Sequence, residues 1–334
     1  MTILTIAIPT YNRGHRLEKT LRDLLQHVVS SGFLSDIEVL VSDNGSPDNT
    51  RSIISSQKHF FLEKGIVFTH LNNEKNLGFD QNIWLCYEGA SSEYVWFLSD
   101  DDNLFPDAIS NIMSELGRKS TVALYFNFNQ KPYDCESPLV KSRLEYTTIN
   151  KDNISCLRDV VAWPKLTAMV VKKIEISLPR PGMNLGFYHV EIFIRAVVKC
   201  GGFVSSTKFL AYPDEDYMDH IDFPPYVGNR LNEQLLNLLT DLNLADCYES
   251  FGRQHVSPLD SSLQFLGRSY RNHIEISDEL REELWETIFK ELRWKNINTS
   301  TLREILKFIL SSTVLRRNWK LLYKVSPNRW TENR

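Results

Sequence analysis

Nowhere in the 334 residues does an apolar run reach the roughly 18 positions that a membrane-spanning helix needs. Cysteine is scarce: Cys86, Cys135, Cys156, Cys200 and Cys247 lie far apart, odd in number and never paired as C-x-x-C. That usage excludes a disulfide framework and a structural zinc site, and it belongs to a reduced compartment. Neither sign of charge dominates, with 38 basic against 42 acidic residues, so no bulk attraction to nucleic acid is expected. The 14 glycines form neither a G-x-G-x-x-G fingerprint nor a G-x-x-x-x-G-K loop, so a phosphate would find no cradle of backbone amides. Residues 1–9 are apolar but carry no basic residue and stop at a proline, which reads as a buried strand rather than an export leader. A cytoplasmic protein is expected.

What is present is a core and a rhythm. Hydrophobic residues make up 42% of the chain and charged ones 24%, the composition of a globular protein with a large interior. Strand signals at 3–9, 37–41, 66–69, 94–98 and 122–126 alternate with helical ones, the pattern of a parallel α/β sheet. Leu17, Leu21, Leu24, Leu25 and Val28 mark the first helix. Ser46 and Pro47 offer a cap and a first-turn proline for the second. Further on, 166–171 and 203–212 read as strands and 188–199 as a helix, while 213–225 is an acidic, proline-bearing loop or linker. Helical periodicity then covers 231–244, 280–292 and 302–322. Two parts follow: an α/β domain over 1–215 and a helical region over 216–334.

Ligands of parallel sheets bind beyond the carboxyl ends of the strands. Those ends carry Pro9-Thr10-Tyr11-Asn12-Arg13, Ser42-Asp43-Asn44-Gly45-Ser46, Asn73-Glu74-Lys75-Asn76-Leu77-Gly78-Phe79 and Asp100-Asp101-Asp102-Asn103. Three adjacent aspartates repel one another and call for a cation; oxygen ligands alone select a hard ion such as Mg²⁺ or Mn²⁺. A cap on a helix near Pro106 would account for Asp102 or Asp107, but not for all three.

The ordered motifs I-P-T-Y-N-R, V-S-D-N-G-S, N-L-G-F and F-L-S-D-D-D-N-L-F-P-D-A resemble the inverting GT-A glycosyltransferases of glycosyltransferase family 2, over about residues 3–130. The resemblance implies a Rossmann-like, mainly parallel central sheet flanked by helices, followed here by the C-terminal helical region. It implies that Pro9, Thr10, Tyr11 and Asn12 line a nucleotide-base pocket, with Asn44 and Asn76 as polar contacts nearby. Asp43 would accept from N3–H of uracil or thymine. Ser99 stands where the family's D-x-D begins, so the motif shifts: Asp100 meets the ribose, while Asp101, helped by Asp102, holds Mn²⁺ or Mg²⁺ on the diphosphate. The basic residue the family often has near Gln81 is missing.

Inversion needs a general base for the acceptor hydroxyl. The family's E-D pair is absent; its slots fall on Tyr188 and His189, making His189 the candidate and Glu191 its rival. Two positions on a helix differ by about 200°, so both cannot face one site. Glu191 also stands four residues before Arg195, the spacing of a surface ion pair. His220, in the acidic loop, is either a metal ligand, as a late histidine is in some GT-A enzymes, or part of a solvated turn.

The implied activity is transfer of a single sugar from a nucleotide sugar, UDP- or dTDP-linked, to a glycan or lipid-linked saccharide in surface polysaccharide assembly. Arg293-Trp294 and Arg329-Trp330 lack the glutamine of the processive Q-x-x-R-W signature. Two other readings stay open: a non-catalytic nucleotide-sugar-binding scaffold, and a sugar-1-phosphate nucleotidyltransferase, whose glycine-rich basic loop is wanting here. Finally, 303–334 holds eight basic against two acidic residues, interleaved with Ile305, Phe308, Trp319, Tyr323 and Trp330. Such a segment is either a packing helix or a peripheral contact with an anionic inner membrane face.

Overall fold

The computed structural model describes residues 2–117, 123–127, 145–149, 157, 165–173, 178–181, 186–213 and 228–251. The chain divides into two compact units, 1–221 with 234–252 and 222–233 with 253–334. Of the second unit only 228–233 is described, so the architecture below is that of the first.

Strands β1 (Leu4–Thr10) and β2 (Ile37–Asp43) are buried at all seven positions each, because both faces of the sheet are covered. Between them α1 (Gly14–Ser31) buries Leu17, Thr20, Leu21, Leu24 and Val28 and stops at Gly32, whose φ of 78° is the left-handed cap that glycine accepts without strain. Next come α2 (Thr50–Glu63), β3 (Val67–Asn72), α3 (Phe79–Gly89), β4 (Tyr94–Phe97), β5 (Asp102–Leu104) and α4 (Ala108–Leu116). The remainder comprises β6 (Ala123–Asn127), β7 (Glu145–Thr148), β8 (Met169–Lys172), α5 (Tyr188–Cys200), β9 (Gly202–Phe209), β10 (Ala211–Pro213) and α6 (Gly228–Asp241).

The eight-stranded sheet runs β3-β2-β1-β4-β8-β6-β9-β7. β3, β2, β1 and β4 are parallel; β8 opposes both β4 and β6, β6 runs with β9, and β7 opposes β9. The sheet is thus mainly parallel and mixed at two strands. Register matters most at one edge: Thr10 pairs with Asp43, and Asp43 with Asn72. Three strand ends therefore stop side by side, with β4 ending next to β1.

One charge sits inside β2. Glu38 accepts from the Thr5 hydroxyl at 2.6 Å, the Thr69 hydroxyl at 2.8 Å, and the amide and hydroxyl of Ser91 at 2.9 and 2.7 Å. Burial pushes its carboxyl up, but those hydrogen bonds outweigh burial and hold it below the ordinary value.

Three expectations needed correction. The second helix begins at Thr50, not beside Ser46, and it is Asp48 that receives the Thr50 amide at 3.1 Å and the Gly14 amide at 3.0 Å. The strand expected over 203–212 is two, β9 and β10, because β10 leaves the main sheet to pair with β5. That expected over 166–171 opens with a 3-10 turn, Leu166–Ala168, before β8. Cys86, Cys200 and Cys247 are free thiols. The helices expected over 280–292 and 302–322 lie outside the described residues.

Candidate active site

The aspartate run follows β4, directly beside the end of β1, where two elements reach it. From β1, the Thr10 hydroxyl donates to Asp100 Oδ2 at 2.7 Å. From the start of α1, Arg13 Nη1 donates to Asp100 Oδ1 at 2.9 Å and to Asp101 Oδ2 at 2.8 Å. Arg16 Nη1 lies 3.7 Å from the same Asp101 oxygen, and the Thr20 hydroxyl holds the Asp100 carbonyl at 2.9 Å. Ser99, in the slot of the missing aspartate, donates to Asp101 Oδ1 at 2.5 Å. Burial pushes the Asp100 carboxyl up to about 6, with Arg13 pulling down and Asp101 pushing up.

Asp102 faces elsewhere. It belongs to β5, and its Oδ2 accepts from the Thr167 hydroxyl, which in turn accepts the Ser99 amide at 3.1 Å. Burial first, and Asp101 second, push its carboxyl up to about 7. Asp102, expected as a helper to Asp101 in holding a metal, ties the turn to the segment leading into β8 through that hydrogen bond.

Asp100 Oδ1 and Asp101 Oδ2 converge on one cationic nitrogen. Two hard oxygen donors from adjacent residues fit part of a Mg²⁺ or Mn²⁺ ligand set, completed by water and phosphate oxygens. No third His, Cys, Asp or Glu completes a metal cage among the described residues. His220 lies outside them.

Asp43 is fully buried at the end of β2. Its Oδ1 accepts the Ser46 amide at 2.9 Å, while Oδ2 has no partner among the described residues. A buried carboxylate oxygen left open is costly unless something donates to it. Beside it Pro9 and Thr10 are buried, Tyr11 is 40% exposed, and Asn12 takes a φ of 54° with its amide on Ser46 Oγ at 2.9 Å.

Asn44 and Asn76 hold a loop. The Asn44 amide donates to Asn76 Oδ1 and the Gly78 carbonyl and accepts from Asn73 and the Leu77 amide. Gly45 lets that loop close: a Cβ there would lie 2.5 Å from the Lys75 backbone, and its φ is +74°.

α3 and α5 are joined by one buried carboxylate. Asp80, fully buried in the first turn of α3, accepts the amides of Gly186 at 2.9 Å and Tyr188 at 3.1 Å, so it fixes the start of α5. His189 is buried there, edge-on to Phe79 with ring centroids 6.0 Å apart. Glu191 turns the other way, toward α6: Arg195 Nη2 lies 2.8 Å from it and Gln234 Nε2 at 3.3 Å. The pair expected at the surface is buried, both side chains being 8% exposed, and Arg195 also reaches Asp241 at 2.9 Å.

Sequence reasoning passed over Arg13, Arg16, Thr167, Asp80 and Arg180. Three aspartates in a row imply counter-charges, and Arg13 closes the very motif that ends β1, so a signal existed for it. Arg180 had none: its Nη2 meets Gln81 Oε1 at 3.1 Å across a separation of 99 residues, and its guanidinium lies 5.6 Å from the Trp84 ring centroid. A basic group thus stands beside Gln81 after all.

Residues 5–160 match the family described as Glycosyl transferase family 2. Curated relatives include the GalNAc(5)-diNAcBac-PP-undecaprenol beta-1,3-glucosyltransferase of Campylobacter jejuni, 34% identical over 34% of this chain and 35% of its own. The abequosyltransferase RfbV of Salmonella typhimurium is 29% identical over 36% of this chain and 35% of its own. The match therefore spans about a third of the length of these relatives. Among solved structures, S. aureus TarS residues 1–349 with UDP-GlcNAc superposes with a TM-score of 0.54 at 15% identity, covering 87% of this chain and 89% of that one, a likeness of fold. The motifs at the strand ends, the mainly parallel sheet and the family match agree: this chain has the GT-A fold, and its residues 5–160 match glycosyltransferase family 2.

Proposed function

We propose that the protein is an inverting, divalent-metal-dependent glycosyltransferase. It moves one sugar from a UDP- or dTDP-sugar to a hydroxyl of a glycan or lipid-linked saccharide during surface polysaccharide assembly at the cytoplasmic face. The observation that carries this reading is Asp43, a buried carboxylate with one open oxygen at a strand end, in line with the aspartates that follow β4. That oxygen suits N3–H of a uracil or thymine, and the exposed Tyr11 ring offers the base an apolar face. Support for a lipid-linked or polymeric acceptor comes from the relatives: the C. jejuni protein's name gives a PP-undecaprenol saccharide, and that of a Staphylococcus aureus relative, 30% identical over 34% of this chain, gives poly(ribitol-phosphate).

Asp101, with Asp100, would hold the cation. When bound, it neutralises the diphosphate as that group departs. The chain's own residues do the rest. Thr10 and Thr20 fix Asp100, Arg13 and Arg16 add positive charge, and Arg180 offers another beside Gln81. His189, held at the start of α5 by the Asp80 clamp, takes the proton of the attacking hydroxyl. Glu191, committed to Arg195 and Gln234, serves packing instead.

The test is nucleotide choice. With Mn²⁺ present, UDP and dTDP should bind more tightly than CDP, whose unprotonated cytosine has no N3–H, and Asp43→Ala should erase the difference. Equal binding of all three by the wild type removes the role. Absence of nucleotide diphosphate release with any donor favours a scaffold.

A further inference from the structure

A single nitrogen, Arg13 Nη1, bridges Asp100 and Asp101 at 2.9 and 2.8 Å. The arrangement is enclosed: the arginine side chain is 15% exposed and the aspartates 5% and 9%. Two carboxylates share one guanidinium nitrogen in this enclosed place, so any further cation on the same oxygens competes with Arg13. We propose that Arg13 is a displaceable counter-ion, which holds the aspartate pair in the donor-free protein and moves to the phosphoryl oxygens of the nucleotide when a divalent cation takes its place. The inference rests on the metal-dependent reading above.

Three features support an exchange rather than a fixed ion pair. The aspartates are the anchored partners: the Thr10 hydroxyl grips the Asp100 carboxylate, the Thr20 hydroxyl its carbonyl, and the Ser99 hydroxyl grips Asp101. Arg13 meets them through a long side chain, from a position that follows Asn12, with its φ of 54°, and precedes the first residue of α1. A metal ion on those two oxygens and a guanidinium hydrogen-bonded to both would be two cations in one place, so one must leave. The freed group stays tethered beside Thr10, Tyr11 and Asn12. A planar guanidinium also suits phosphate oxygens. Arg16, 3.7 Å from Asp101, remains to balance the pair. Metal and nucleotide should then bind with positive coupling, because each removes the competitor of the other.

The experiment measures binding without turnover. Mn²⁺ affinity is read from free-Mn²⁺ electron paramagnetic resonance, for the wild type and Arg13→Gln, without nucleotide and with saturating UDP. Arg13→Gln should bind Mn²⁺ about tenfold more tightly than the wild type without nucleotide, the equivalent of losing one charge-assisted competitor. Its UDP affinity at saturating Mn²⁺ should fall by about the same factor. Unchanged or weaker Mn²⁺ binding by a folded Arg13→Gln overturns the exchange. Wild type that binds no Mn²⁺ even with UDP overturns the metal reading itself, a separate failure. Should the variant not fold, a crystal structure of the wild type with Mn²⁺ and UDP decides: Arg13 withdrawn from both aspartates sustains the exchange, and Arg13 still bridging them refutes it.

Discussion

Two carboxylates, Glu38 and Glu191, are buried by different means and predict different behaviour. Glu38 is satisfied by neutral donors, which keep its carboxyl below the ordinary value although burial works against them. A depressed carboxyl contributes stability above its unfolded pKa and loses it as pH falls through the lower folded one. Glu38→Gln should therefore cost about 2 kcal/mol at neutral pH, and urea denaturation should show the gap to wild type closing below about pH 4.5. Glu191 is satisfied by a cation, Arg195, inside the α5–α6 contact. Glu191→Ala leaves that cation without its nearest partner and should cost about 3 kcal/mol by chemical denaturation, not the ~0.4 kcal/mol of an exposed pair. His189→Ala should instead lower kcat with donor affinity kept; the reverse ranking would return the base role to Glu191. The i, i+4 spacing of Glu191 and Arg195 was legible in the sequence; their burial was not, since it depends on α6 arriving from 43 to 46 residues away. The placement of Asp43, Asp100 and Asp101 at strand ends was legible because a parallel strand's carboxyl end is visible as an apolar run that stops. Nothing local to Asp102 says that Thr167 will claim it.

At the scale of elements, the joint between α3 and α5 rests on Asp80, which holds two amides at the start of α5. Asp80→Ala leaves both amides without that acceptor and should cost about 1–3 kcal/mol. Because His189 begins the same helix, kcat should fall further than UDP affinity, as isothermal titration beside initial rates would reveal. Equal losses in both would mean that the joint serves folding alone. The strands β1, β2, β3, β4 and β6 could be read from apolar runs, each within a few residues of its true bounds. The β10–β5 pair could not: three residues carry too little periodicity, and the break after Phe209 is set by a partner a hundred residues earlier. Nor could the direction of β8, since an apolar run looks the same whichever way it is threaded.

For the whole molecule, the basic 303–334 segment predicts behaviour beyond the described residues. Its six net positive charges, each contributing about 1 kcal/mol near an anionic leaflet, should hold the protein on such a surface reversibly. Sedimentation with anionic vesicles at low salt, with release near 1 M where screening shortens to about 3 Å, is expected. Replacing Arg316, Arg317, Lys320 and Lys324 by glutamine should abolish it, and indifference of the wild type to vesicles at low salt makes the segment a packing helix. The reversed strand β8 has a consequence of another kind. β4 lies between β1 and β8, with Tyr94, Val95 and Trp96 paired to Lys172, Val171 and Val170. A fragment cut after Gly117 would keep Asp43 and the aspartate run, yet it would bare one whole ladder of β4 backbone amides and carbonyls alongside Trp96 and Phe97, both otherwise fully buried. An unpaired apolar ladder of this kind recruits a second copy of itself. This N-terminal third of the protein would therefore aggregate when released alone, and the strand threaded backwards protects it from its own kind.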